Sequence, residues 1–370
     1  MLAAAVFAAI CTEVLPVGLL PQISRGLQTS ESRVGLLVSA YAVVVAIGSI
    51  PLTALVARWP RRHVLCTLLC LYALSNAALA STNNYWFALC SRLLGGLAHA
   101  GFFSLVIAAA VSIVAPAKAG KAVALVLGGN VLALALGVPL GTALGTAIGW
   151  RWAFACAAAV MLLLALLTAV VLPSAQPPPS ASPQIPVLTM VREQALLRVA
   201  TFTIILMLGH YTLYTYISPL LLHASVSTGA VSLVLFGYGA AGILGLGLAS
   251  AAADRNPRRA LQAAAALTTA CLLALSYVHA STPTVAVVIV WGIAFGALPT
   301  LIQSVALRAV PNARDAAPAV VNATFNIGIA GGAFIGAREL FIASPSVLAL
   351  TAAGLGAVSL LLLAQRSNTQ

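Results

Sequence analysis

The sequence predicts an all-α integral membrane protein: twelve transmembrane helices in two pseudo-symmetric halves of six. Three observations predict it. Of 370 residues, 62% are hydrophobic and 6% charged, too little polar surface for a soluble globule, whose charged fraction is about a quarter. Apolar runs of about 20 residues, the length that crosses a hydrocarbon core about 30 Å thick, recur from one end to the other. A short basic motif and several polar positions recur at an offset of 197 residues. A membrane β-barrel would need alternating polarity in segments of about ten residues, and none appears.

The runs fall at 2–22, 34–57, 63–81, 85–114, 122–147, 150–172, 199–222, 229–253, 260–280, 283–308, 316–340 and 345–365. The first begins at Met1, lacks a basic leader region and carries Glu13 at its middle, so it reads as a retained helix and not a signal peptide. Ala57-Arg58-Trp59-Pro60-Arg61-Arg62 follows the second run. Only Gly149, Trp150 and Arg151 separate the fifth from the sixth. After the sixth comes the one long polar segment, with Pro173, Pro177, Pro178, Pro179, Pro183 and Pro186, which cannot be helical throughout. It divides the chain into an N-terminal bundle (1–172), a linker (173–194) and a C-terminal bundle (195–370). After the eighth run comes Asp254-Arg255-Asn256-Pro257-Arg258-Arg259, which matches the 57–62 segment at four of six positions. The 197-residue offset also carries Glu13 onto His210, while Asn130 and Asn326 are related by 196.

Charge orients the chain. With Met1 in the cytoplasm, one set of loops and the tail carry Arg58, Arg61, Arg62, Lys118, Lys121, Arg192, Arg198, Arg255, Arg258, Arg259, Arg308, Arg314 and Arg366. The opposite side has Arg25, Arg33, Arg151 and Arg338. By the positive-inside rule both termini are cytoplasmic, and the linker with them. A net charge of +12 would suggest nucleic acid in a soluble protein; in a membrane protein these are loop charges facing anionic lipid, and no nucleic-acid partner is expected.

Several chemistries have no residues to carry them. Cys11, Cys66, Cys70, Cys90, Cys156 and Cys271 lie in or beside apolar helices and read as small hydrophobes, not as a metal or disulfide set. No phosphate-binding loop, His-Glu-x-x-His, Cys-x-x-Cys or serine nucleophile elbow occurs, so neither ATP, a metal, a cofactor nor an enzymatic reaction is expected.

The candidate functional residues are the polar ones inside apolar runs. A membrane carboxylate is costly unless paired, protonated or wet, and so marks function; Glu13 is that residue. Arg92 on the fourth helix lies at a similar depth. If the two face one another, the guanidinium favours the ionised carboxylate and burial the neutral one, so proton affinity switches with water access; a fixed ion pair is the alternative. His99 shares the Arg92 helix face and either relays protons or is satisfied by a helix carbonyl. His210 and Tyr214 suit a cargo with hydroxyls and apolar ring faces, with Tyr211 a further member of that polar end and Tyr216 an interface residue. Asn130, Asn326 and Gln303 join helices or reach cargo, and Trp291 stacks on a ring or packs. Arg58, Arg61, Arg62, Asp254, Arg255, Arg258 and Arg259 are the candidate gating loops.

Two parallel six-helix halves with a midplane site between them resemble the major facilitator arrangement. The 57–65 segment is similar to that superfamily's loop between its second and third helices, although Ala57 replaces an acid that Asp254 retains. Arg92 with Gly96 resembles its Arg-x-x-x-Gly motif, and Gly128, Gly137, Pro139 and Gly141 partly resemble the Gly-Pro motif of its antiporters. Thr12-Glu13-Val14-Leu15-Pro16-Val17-Gly18-Leu19-Leu20, Leu97-Ala98-His99-Ala100, His210-Tyr211-Thr212-Leu213-Tyr214-Thr215-Tyr216-Ile217-Ser218-Pro219 and Phe325-Asn326-Ile327-Gly328-Ile329 resemble the bacterial sugar efflux transporter B type. The resemblance implies a monomer among lipids in the bacterial inner membrane. It would export small sugar-like or amphipathic molecules in exchange for protons. A multidrug exporter of the same fold and a non-transporting scaffold or sensor are the alternatives.

Overall fold

The computed structural model describes residues 1–56, 59–115, 118–173, 194–253, 255–309 and 317–364. The N-terminal half holds α1 (Leu2–Gly18), α2 (Leu20–Gly26), α3 (Glu31–Val56), α4 (Arg61–Ser81), α5 (Tyr85–Ser112), α6 (Ala119–Leu132), a π-helical turn (Ala133–Gly137), α7 (Val138–Ile148) and α8 (Trp150–Val171). The C-terminal half holds α9 (Gln194–Tyr214), α10 (Ile217–His223), α11 (Thr228–Ala253), α12 (Pro257–Tyr277), α13 (Ser281–Ala309), α14 (Ala317–Ile342) and α15 (Pro345–Ala364). Among the described residues, eleven helices are long and apolar enough to span a membrane, twelve when the bent pair α1–α2 is taken as one crossing.

The expected spans are present to within a few residues, but two of them are broken. The runs at 2–22 and 199–222 read as continuous helices; instead the first bends by 73° between α1 and α2, and the seventh breaks at Thr215–Tyr216 before α10. Proline supplies the reason. Pro21 and Pro219 have no N–H to donate and are best accommodated in a first helical turn, and a new helix starts just ahead of each. Ile217 follows Leu20 by the same 197 residues that relate the halves, so the break is itself repeated. In the fifth span the π turn precedes Pro139, which cannot donate to the carbonyl of Ala135. Between α7 and α8, Gly149 at φ 104° takes the left-handed geometry that lets two membrane helices meet with no loop.

Twelve crossings put Leu2 and Ala364 on the same face, here the terminal face; the opposite one is the far face. The halves meet along α3 against α14, and along α7 and the π turn against α11, where Gly239 abuts the backbone of Leu134 and Ala135. Four hydrogen bonds between the halves lie toward the far face. Ser32 Oγ donates to Ala337 O, Ser39 Oγ to Ala330 O (3.0 Å), and Ser218 Oγ to Val17 O (2.9 Å) and Gly18 O (3.2 Å). Tyr216 completes this seal: its hydroxyl donates to Ala333 O (2.8 Å) while its ring lies against Gly35 of α3, where a methyl group would overlap it.

Candidate functional site

The sequence around Glu13 dictates its own surroundings. In a helix the carbonyl of Thr12 would accept from residue 16, but Pro16 has no N–H, so that carbonyl is left without a donor inside a membrane. Arg92 of α5 supplies one: Nη1 donates to Thr12 O at 2.8 Å and Nη2 to Glu13 O at 3.0 Å, while the guanidinium lies 4.3 Å from the centre of the Tyr41 ring. Arg92 is 1% exposed, and its Nε has no partner among the described residues. The residues expected as a pair therefore do meet, but through the backbone of Glu13 and not through its carboxylate.

The ionisable neighbour of the carboxylate is His99, whose Nδ1 lies 3.8 Å from Glu13 Oε2 and 2.8 Å from Tyr41 Oη. Phe103 stacks on the imidazole at 4.8 Å, and Tyr41 and Tyr72 meet it edge-on. Asn76 Nδ2 donates to Thr12 Oγ1 at 3.1 Å and to Tyr72 O at 2.9 Å, fixing the polar side chain beside Glu13. All of these groups are buried except Phe103, which is half-buried. Tyr41, Tyr72 and Asn76 were missed by sequence reasoning.

The second cluster is built on α9, α11 and α13 around His210. The imidazole stacks on Phe295 (centroids 3.7 Å, 8° between planes) and on Tyr214 (5.2 Å, 22°), and meets Tyr211 and Trp291 at steeper angles. Tyr238 lies 5.2 Å from Tyr214 and 5.6 Å from Trp291. The expected His210, Tyr214 and Trp291 are thus together; Tyr238 and Phe295 join them unannounced. Tyr211 belongs to this cluster and also lies within electrostatic range of Glu13 across the interface.

The remaining amide candidates lie on α6, α13 and α14. Asn326 Nδ2 donates to Asn322 O of its own helix at 3.0 Å and its Oδ1 is buried without a partner; Gln303 Nε2 is likewise unpartnered. Asn130 is half-buried, and its carbonyl accepts from Ala133 N at the end of α6. Of the gating loops, Arg58 and Asp254 lie outside the described residues. Arg61 Nη1 donates to Ala108 O (3.1 Å) near the end of α5, and Arg258 Nη2 to Leu363 O (3.2 Å) near the end of α15. Each bond stays within its own half. Arg62 is half-buried and Arg255 and Arg259 are exposed. No group of three or more His, Cys, Asp or Glu gathers for a metal among the described residues.

Two six-helix halves, sealed toward one face and carrying buried ionisable and aromatic groups on either side of their interface, define a membrane transporter rather than an enzyme. The chain belongs to the Major Facilitator Superfamily, whose family model matches residues 2–337. It is a multi-pass secondary transporter of small molecules.

Among its relatives, a probable sugar efflux transporter of Mannheimia succiniciproducens is 32% identical over 364 residues, 98% of this chain and 91% of that one. A probable sugar efflux transporter of Helicobacter pylori is 31% identical over 328 residues, 88% of this chain and 83% of the relative. Similar solved structures share the fold. A bacterial homolog of the human lysosomal transporter Spinster, in an inward-facing and occupied conformation, superposes with a TM-score of 0.84 at 12% identity, covering 100% of this chain and 96% of that one. A nucleoside transporter does so at 0.75 and 14%, covering 98% of each.

Proposed function

We propose that the protein is a proton-coupled exporter of small sugar-like or amphipathic molecules. In this reading it works as a monomer in the bacterial inner membrane with both termini cytoplasmic. The observation that carries the proposal is the buried Glu13–His99 contact of 3.8 Å, one turn from the joint where Val17 and Gly18 accept from Ser218 of the other half. A change of charge on Glu13 therefore acts on the same helix that holds the halves together. With the carboxylate ionised, His99 and the unbonded Nε–H of Arg92 are its available partners, and α1 stays fixed against α5. A proton arriving from outside removes that attraction and frees α1 to shift against α5, and with it the joint to Ser218. Cargo entering from the cytoplasm, between the His210 cluster and the Glu13 pocket, competes with the protonated state, and by linkage proton and cargo disfavour each other equally at equilibrium. With the termini inside, the far-face seal makes this an inward-facing arrangement, ready to load from the cytoplasm. His210, Tyr214 and Trp291 take the cargo, Asn130, Asn326 and Gln303 supply the amides that a hydroxyl-bearing cargo meets as the halves close, and the basic loops gate the terminal face. The sugar efflux transporters to which the chain is similar support the cargo class. The aromatic lining is the one observation favouring a drug exporter of the same design.

The test is uptake of a compound panel into inverted vesicles under an imposed pH gradient. Glu13→Gln keeps the side-chain volume but cannot ionise, so gradient-driven uptake is lost while downhill exchange remains. Uptake equal to wild type removes Glu13 as the coupling group.

A further inference from the structure

The chain has 5 histidines, and two of them meet on the far face. His223 ends α10, and His279 lies in the turn between α12 and α13. Their ring centres are 6.2 Å apart with the planes at 87°, and both residues are exposed. Ring packing stabilises mainly by taking apolar surface out of water, and two exposed imidazoles take out little. The stretches that carry them, 199–253 and 260–307, contain no Lys, Arg, Asp or Glu. No charge on either stretch therefore repels a cation or competes with one for the imidazoles.

Two converging imidazoles can share a metal ion. Imidazole nitrogen suits Zn²⁺, Cu²⁺ and Ni²⁺, whereas Mg²⁺ and Ca²⁺ call for oxygen ligands. A zinc–nitrogen bond of about 2.0–2.1 Å puts the ion about 3.2 Å from each ring centre, so two imidazoles on one tetrahedral ion have centres about 5.2 Å apart. The separation of 6.2 Å closes to that value by a small swing of two exposed side chains. No third His, Cys, Asp or Glu joins them among the described residues, so water fills the other positions and the ion stays exchangeable.

The placement of the pair gives such an ion a consequence. The helix α10 has 7 residues, set off from α9 by the break at Thr215–Tyr216 and followed by a turn in which Ser225 has φ 61°. It carries Ser218, whose hydroxyl donates to Val17 O and Gly18 O of the other half. An ion held by His223 and His279 ties the far end of this short segment to the α12–α13 turn. We infer that the two histidines form an exchangeable site for a divalent transition metal such as Zn²⁺, and that the bound ion pins α10. The site stands or falls independently of the export reading.

The experiment is calorimetric titration of Zn²⁺, and separately Mg²⁺, into the full chain, purified without a polyhistidine tag and alkylated at its accessible cysteines. Wild type binds Zn²⁺ and not Mg²⁺. His223→Gln and His279→Gln each weaken Zn²⁺ binding about tenfold or more, and the double variant is little worse than either, because losing one ligand already breaks the chelate. His63→Gln, at an exposed histidine on the terminal face, leaves binding as it was. Unchanged circular dichroism melts without metal show that the variants fold. Zn²⁺ also slows backbone hydrogen exchange over 217–224 in wild type and not in the His223 and His279 variants. No Zn²⁺ binding, binding that either of these variants leaves intact, or equal binding of Mg²⁺ overturns the site. Zn²⁺ binding with unchanged exchange overturns the pinning of α10.

Discussion

Arg92 is held here to be the donor that Pro16 cannot be, and that claim has a measurable form. Arg92→Leu removes two charged hydrogen bonds, at 2.8 and 3.0 Å, and a cation over the Tyr41 ring. The two losses differ in kind. Glu13 O keeps the N–H of Val17 by regular helical geometry, whereas Thr12 O keeps nothing, because residue 16 is proline. The unrecoverable part is one buried unmet acceptor, about 1–3 kcal/mol. Pro16→Ala restores a backbone N–H four residues after Thr12 and meets it. In a double-mutant cycle, Pro16→Ala should therefore rescue Arg92→Leu by about 1–3 kcal/mol relative to the sum of the single changes. The assay is unfolding of the purified protein by increasing mole fraction of sodium dodecyl sulfate, followed by circular dichroism. Additivity within about 0.5 kcal/mol would refute the reasoning, and Arg92 would have to be explained by the Glu13 carboxylate alone.

Gly35→Ala places a methyl group where the Tyr216 ring lies. It should shift the protein away from the far-face-sealed state, read as increased labelling from the far-face side of single cysteines near Ser32 in a background without the six native cysteines; unchanged labelling would show that Tyr216 yields freely. Ala57→Asp restores the acid that the second copy of the loop holds at Asp254, and should move the same labelling by a modest amount, on the order of 1 kcal/mol for one charge at a helix end. Identical labelling of that variant and wild type would remove the first loop as a latch.

Much of this was readable from the chain because a bilayer permits few solutions. Apolar length specifies crossings, and an acid or amide inside a run stands out. The 197-residue offset that carries Glu13 to His210 also carries Tyr41 to Tyr238, one beside each cluster. That pair is legible as a repeat, but an uncharged tyrosine is ordinary near membrane interfaces and does not stand out. The proline positions were legible too: Pro16 and Pro21 each announce a carbonyl four residues earlier that needs a donor. What could not be read was who answers. Arg92 and Ser218 reach α1 from 80 and 201 residues away, and Phe295, without a polar atom, gives no sign in sequence of stacking on His210. Contacts of that kind are set by tertiary packing, which periodicity does not encode.

The carbonyl of Val17 has a further consequence. Pro21 deprives it of a helical donor, and the hydroxyl that meets it belongs to the opposite half. When the halves separate at the far face, that oxygen needs a new partner, and in hydrocarbon none exists. Opening must therefore be an act of hydration: water has to enter the gap as Ser218 leaves, and the gate does not open dry. Osmotic stress from a solute too large to follow the water would hold the far gate shut, coupling the transport cycle to the water activity of the compartment that the far face meets.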